Sequence, residues 1–205
     1  MKSEKISCES CESCSPAEIQ KLTGDFFIRD VLVVAPELLG KILVCKVREK
    51  LLRYRITETE AYRGAEDLAC HANKGRTART EVLFHTGGAV YVYLIYGMYW
   101  MLNFVTGREG EPQAALVRGL CGLYGPGRLT RRLQIDRSFY GEDVTVSPRI
   151  WVEDDGFRPP YTTGTRIGVD YSGEWKDKPW RFYSLTPDPH LGNPESFSGE
   201  TRHPH

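Results

Sequence analysis

A chain of 205 residues that is 40% hydrophobic and 26% charged has the balance of one globular domain with a core of its own. Its 27 basic and 27 acidic side chains cancel, which excludes a uniformly basic nucleic-acid binder but leaves room for a local basic patch. No apolar run approaches the roughly 18 residues of a membrane span, and the N-terminus has no signal-peptide core. The reading is a cytoplasmic protein, at the nucleoid in a prokaryote, with no membrane partner.

The N-terminal "SCESCESCS" spaces Cys8, Cys11 and Cys14 three apart. Such spacing suits a metal or an iron–sulfur cluster, but three thiolates are one short of the usual four. Cys45, Cys70 or Cys121 would have to fold back to complete the set. The competing reading is a polar tail over residues 1–14 with too few apolar side chains to pack, and no cofactor. Ser15-Pro16-Ala17-Glu18 carries a helix-start signature of capping serine, proline at the first position and glutamate three after the serine. It opens a domain over residues 15–190, with a second tail at 191–205.

Asp30 to Leu39 reads as a short helix closed by Gly40, with Pro36 either near its start or kinking it. "KILVCKV" (41–47) and "YRITETEAY" (54–62) form a hairpin. Residues 63–88 are loop-like, and a long ordered loop in a compact domain tends to be functional. "AVYVYLIY" and "YWMLNFVT" are strands meeting around Gly97-Met98; "AALVRG" is another strand, and "GPGRLTRRLQI" starts a basic helix. Short strands and turns close the chain. The class is α+β, a single domain built on a curved, mostly antiparallel sheet with flanking helices.

The charges are unevenly placed. Lys41, Lys46, Arg48, Lys50, Arg53 and Arg55 face a single Glu49, and Arg118, Arg128, Arg131, Arg132 and Arg137 form a second group. Acids gather at Glu153-Asp154-Asp155. Both basic groups are read as solvated faces. In "YVYLIYGMYW" (91–100), Tyr91, Tyr93 and Ile95 share one strand face and Val92 and Leu94 the other. Tyr91, Tyr99 and Trp100 are assigned to the core. Tyr96 falls at the turn, where a large aromatic is hard to bury and could wedge between bases. In "TETEAYRGAEDLACH" (57–71), Glu58, Glu60 and Tyr62 share a face, placing a carboxylate beside an aromatic ring.

Taken together, "ETEAYRGAEDLACH", "YVYLIYGMYWMLN", "ALVRG", "GPGRL" and "RIGVDYSGEW…RFY" resemble the alkyladenine (3-methyladenine) DNA glycosylase family, in unbroken order from about Leu38 to Tyr183. The sequence departs at Ala78 and Leu83, where the family commonly has proline and methionine. The resemblance implies a monofunctional enzyme of base excision repair, acting as a monomer on double-stranded DNA with a damaged purine. It implies that the purine is flipped out between Tyr62, His71 and Tyr93, that Tyr96 fills the gap, and that Asn103 rejects guanine. Glu60 would activate the attacking water, with Arg118 and the Ile167 main chain holding it. No metal or cofactor is implied. The lesions in range are 3-methyladenine, hypoxanthine and ethenoadenine. Three rivals predict no base release: a module of the same fold without catalysis, a single-stranded RNA binder stacking bases on its tyrosines, and a small metal protein centred on the cysteines.

Overall fold

The computed structural model describes residues 19–186; the segments 1–14 and 191–205 and the helix start at Ser15 lie outside the described residues. No helix continues from that start into them. Instead the chain enters as strand β1 (Gln20–Lys21), antiparallel to a later strand, because that strand's edge takes its backbone groups: Leu22 N–H donates to Val152 at 2.8 Å. A one-turn helix α1 (Gly24–Phe27) then buries Phe27. Helix α2 (Val31–Glu37) starts where Asp30 caps it, its side chain accepting from Leu32 N–H at 2.8 Å. Pro36 sits in the last turn rather than near the start. Its missing N–H forfeits one helical bond just where the helix ends.

The remaining elements are β2 (Ile42–Val47), β3 (Lys50–Arg63), β4 (Val90–Ile95), β5 (Tyr99–Thr106), β6 (Gln113–Leu120), β7 (Leu123–Tyr124), α3 (Pro126–Arg132), β8 (Ile150–Asp154), β9 (Tyr161–Gly164) and β10 (Arg181–Ser184). The sheet runs β1-β8-β2-β3-β6-β5-β4, with β10 on β3, β9 on β10 and β7 on β6, and every pairing is antiparallel. The α+β single-domain fold is the one the sequence predicts. Strand β3 joins its halves: residues 50–55 pair with β2, and residues 56–63 pair with β6 across irregular register at Ile56–Thr59. Such irregularity bends a strand and re-aims its side chains.

The two faces of the sheet do different work. Ala61, Val90, Val92, Leu102, Phe104, Ala115 and Val117 point into the main core, which also buries Phe27, Val31, Val34 and Leu129 from the helices. Their sequence neighbours point the other way, under the 63–88 loop, where Tyr91, Val105 and Ala114 form a second cluster with Cys70, Ala72, Val82 and Leu83. That loop is ordered by two short 3-10 turns, His71–Lys74 and Glu81–Phe84.

The first basic group is not a solvated face throughout. Lys41 is 1% exposed and pairs with Asp154 at 3.1 Å; Arg55 is buried and bonds both Asp155 oxygens at 2.8 and 2.9 Å. Arg53 meets Glu153 at 3.2 Å. The acidic run on and beside β8 therefore neutralises the basic run on β2 and β3. Burial lowers the Lys41 pKa, against the opposing pull of Asp154.

The "GPGR" turn has a packing reason. Gly125 adopts φ 97°, Pro126 opens α3 at its first turn, and a β-carbon at Gly127 would lie 2.6 Å from a ring carbon of Tyr99. Close approach of helix to ring docks α3 on the start of β5, where Thr130 also bonds the Trp100 carbonyl at 2.9 Å. Gly127→Ala is expected to lower stability by about 1–3 kcal/mol through overpacking, read as a lower urea midpoint at unchanged slope.

Candidate active site

Register brings the chemistry into one row. Glu60 on β3 lies opposite Leu116 on β6, Leu116 opposite Asn103 on β5, and Asn103 opposite Tyr91 on β4. Two residues along on one side of this row Tyr62 faces Ala114, and two residues along on the other side Tyr93 faces Met101. Because side chains alternate across each strand, these residues share the face away from the main core. All of them except Glu60, which is bonded to three of the lining residues, line a cavity of about 410 Å³ together with His71, Leu83, Arg118, Ile167 and Tyr171. Leu83, one of the family departures, is therefore a wall residue.

Glu60 is 0% exposed. Its carboxylate accepts from the Tyr62 hydroxyl at 2.7 Å and from the Ile167 main-chain N–H at 2.9 Å, and Arg118 Nη1 lies 3.4 Å away. Burial pushes its carboxyl above the usual range, against the pull of Arg118, the Ile167 N–H and Tyr62. Arg118 is shared, since its Nε bonds Glu58 at 3.2 Å. Glu58, Glu60 and Tyr62 do share a face, but Glu58 serves as a partner of Arg118. Gly119, next to Arg118, faces Glu58 across the irregular register.

The aromatic walls are preformed. His71 and Tyr93 meet edge to face with centroids 4.6 Å apart at 75°, so they make one wall with no room for a ring between them. His71 Nδ1 lies 2.8 Å from the Tyr91 hydroxyl. Burial, with Arg79 and Lys74 nearby, pushes the His71 pKa down to about 4, so its ring is neutral at physiological pH. Asn103 is buried, and its amide donates to the Tyr91 and Met101 carbonyls at 3.1 and 3.3 Å.

The structure thus gathers Tyr62, His71, Tyr93, Asn103, Arg118 and Ile167 at one cavity, with Glu60 buried against Tyr62, Arg118 and Ile167. Tyr96 stands at its rim, 82% exposed, on the turn between β4 and β5. Tyr91 is buried as expected, but it is also a site residue through its bond to His71. Tyr99 and Trp100 are only half-buried. Tyr91 shares the period-two face of Tyr93, a signal that the sequence carried. Arg79 at the cavity mouth, 5.3 Å over the Tyr93 ring, carried no such signal. Cys45 on β2, Cys70 in the 63–88 loop and Cys121 in the turn between β6 and β7 are all buried. Burial raises the Cys45 and Cys70 thiols to about 12, and no group of three or more metal-ligating side chains is assembled among the described residues.

Comparison with known proteins places a chain of this fold and cavity among the DNA glycosylases. Residues 25–187 match the Methylpurine-DNA glycosylase (MPG) family, and the chain belongs to that family. It is 42% identical over 182 residues to a protein of Psychrobacter cryohalolentis, covering 74% of this chain and 86% of that one. It is 40% identical over 193 residues to one of Desulfitobacterium hafniense (80% and 95% covered), and 43% identical over 182 residues to one of Methanocella arvoryzae (79% and 91% covered). Each of the three is provisionally named a 3-methyladenine DNA glycosylase.

The upward shift of Glu60 has a consequence for stability. The folded state holds this proton more tightly than the unfolded chain does. The charged form therefore weakens the fold once pH rises through the raised pKa, and the penalty disappears as pH falls below the unfolded value. Glu60→Gln keeps the acceptor for Ile167 and removes the charge. Its melting temperature is expected to exceed the parent's at pH 8, the difference closing as pH is lowered.

Proposed function

We propose that the protein is a monofunctional DNA glycosylase that flips alkylated or deaminated purines out of the duplex and hydrolyses their N-glycosidic bond. The observation that carries this reading is a fully buried carboxylate, Glu60, held by three donors against a cavity with aromatic walls. A purine entering the cavity stacks on Tyr62 on one side and on the His71–Tyr93 wall on the other. Water attacks the anomeric carbon, Glu60 accepts its proton, and the bond to the base breaks as the base departs. The carboxylate also offsets the positive charge that develops on the sugar. The Ile167 N–H is already engaged by Glu60, so the Ile167 carbonyl is the atom its main chain offers to the water, with Arg118 alongside. Among the described residues that line the cavity there is no lysine, which is in keeping with simple hydrolysis rather than Schiff-base chemistry.

Specificity follows from the same walls. Neutral His71 does not repel a cationic purine, and stacking alone serves neutral hypoxanthine and ethenoadenine. The Asn103 amide is tied to two carbonyls, so it cannot swing away from guanine's exocyclic amine. The exposed Arg128 and Arg131 of α3, a helix packed on β5 of the hairpin that carries Tyr96, suit the phosphate backbone. That part of the second basic group is solvated, as the sequence suggests.

The deciding measurement is free-base release from duplexes bearing hypoxanthine, ethenoadenine or 3-methyladenine. The parent is expected to release base and Glu60→Gln at least ~100-fold more slowly, with lesion binding retained. Binding without release by the parent itself would point to a module that has lost catalysis.

Tyr96→Ala separates a wedge from a core residue. Truncating a buried aromatic costs about 3–5 kcal/mol, whereas truncating this exposed one is expected to leave the melting temperature near the parent's. Lesion-duplex affinity should fall, because unstacking loses its replacement. The deficit is expected to shrink when the lesion sits opposite an abasic gap. Unfolding with unchanged binding per folded molecule would place the wedge elsewhere.

A further inference from the structure

Arg166 lies outside the cavity lining and has no part in the reaction as described so far. Its side chain is 0% exposed, and it makes four hydrogen bonds to three residues. Nη1 donates to Asp67 Oδ2 at 2.5 Å and to the Ala61 carbonyl at 3.0 Å; Nη2 donates to Asp67 Oδ1 at 2.9 Å and to the Trp175 carbonyl at 3.0 Å. The guanidinium carbon lies 4.9 Å from the centre of the Tyr62 ring and 5.1 Å from that of Trp180. Nε has no partner, so the group tolerates an unsatisfied buried donor to hold this position.

The Ala61 and Tyr62 contacts lead to Glu60. Ala61 stands between Glu60 and Tyr62, and Arg166 immediately precedes Ile167. One planar group thus fixes the ring whose hydroxyl bonds Glu60 Oε2 and the peptide whose N–H bonds Glu60 Oε1. Asp67 extends the hold to the segment before His71: its side chain also accepts from the N–H groups of Arg63 and Ala69, at 3.1 and 3.0 Å, and its carbonyl accepts from Cys70 N–H at 2.8 Å. A bidentate guanidinium–carboxylate pair suits the task because its fork sets direction as well as distance.

We propose that Arg166, clamped by Asp67, is a positioning residue for catalysis that aims the Tyr62 hydroxyl and the Ile167 N–H at Glu60. The proposal rests on the reading of Glu60 as the general base. A merely structural buried ion pair would support the fold without bearing on the proton affinity of Glu60. A positioning pair does bear on it: when the two donors lose their aim, the carboxylate is less well stabilised, and its pKa climbs further. Glu60 must be ionised to accept a proton, so the acid limb of the rate profile then moves to higher pH.

The experiment measures single-turnover release of hypoxanthine across pH, with binding measured on a duplex carrying a non-hydrolysable 2′-fluoro lesion nucleotide. The variants are Asp67→Asn, which keeps shape and one acceptor oxygen; Arg166→Lys, which keeps charge without the fork; and Arg166→Met. Rates per active site are expected to fall ~10- to 100-fold with affinity within ~3-fold of the parent, the scale of a misaligned catalytic group. The pH of half-maximal rate should rise in the order parent, Arg166→Lys, Arg166→Met. If the arginine variants do not fold, the same shift in Asp67→Asn decides the matter. Folded variants with parental rate per active site and parental midpoint, differing only in melting temperature, would overturn the proposal. Glu60→Gln is run in parallel. Substantial release by that variant would sink the general-base reading itself, whereas an inactive Glu60→Gln beside unaffected Arg166 and Asp67 variants sinks the positioning role alone.

Discussion

The burial of one carboxylate constrains everything around it. A charge removed from water costs several kcal/mol unless other groups replace the lost hydration. Glu60 is replaced-for by three donors of different kinds: a phenol two residues along its own strand, a guanidinium on the neighbouring strand and a peptide N–H more than one hundred residues away. The compensation is incomplete, since the carboxyl remains shifted upward. Incomplete compensation is useful in a base. A fully neutralised carboxylate holds a proton too weakly to remove one from water, and efficiency improves as its pKa approaches the working pH. The same burial removes Glu60 from the cavity surface, which is lined by aromatic rings together with Arg79 and Arg118.

Most of this site was legible because it lies on strands. Alternation is a local property, so the co-facing of Glu58, Glu60 and Tyr62, and of Tyr91 and Tyr93, could be read before any pairing was known. What alternation cannot supply is register. Nothing local to Glu60 says that Leu116, Asn103 and Tyr91 stand in line with it across three further strands; that alignment depends on turn lengths and on the irregularity in β3. The roles attached to Asn103, His71 and Ile167 came from resemblance for the same reason. The fold class was equally local in origin, resting on strand-like runs separated by turn residues.

The charges were the least legible feature. Lys41 and Arg55 look from the sequence like members of a solvated face, yet both are buried against acids about one hundred residues later. Arg166 and Asp67 are separated by 99 positions and gave no sign of being partners. An exposed charge and a paired, buried one have identical side chains, and only tertiary proximity distinguishes them. The helix start at Ser15 lies outside the described residues, and within them the chain is already paired to the edge of β8 at Gln20.

Tyr96 shows how two local rules can conflict informatively. The β4–β5 turn bonds Met98 N–H to the Ile95 carbonyl, with φ of 51° at Tyr96 and 69° at Gly97. Positive φ at both central residues is the pattern of the tight hairpin turn that matches strand twist, and asparagine, aspartate or glycine fill its first position most readily. A tyrosine there bears roughly 1–2 kcal/mol of left-handed strain and, at 82% exposure, recovers little by burial. Neither turn chemistry nor core packing therefore selects this residue. The strain does have a geometric effect: it directs a large ring outward from the end of a hairpin anchored on α3 through Tyr99 and Trp100. The turn backbone thereby sets the point and direction in which the Tyr96 side chain leaves the hairpin, while its exposed ring is held by no packing of its own.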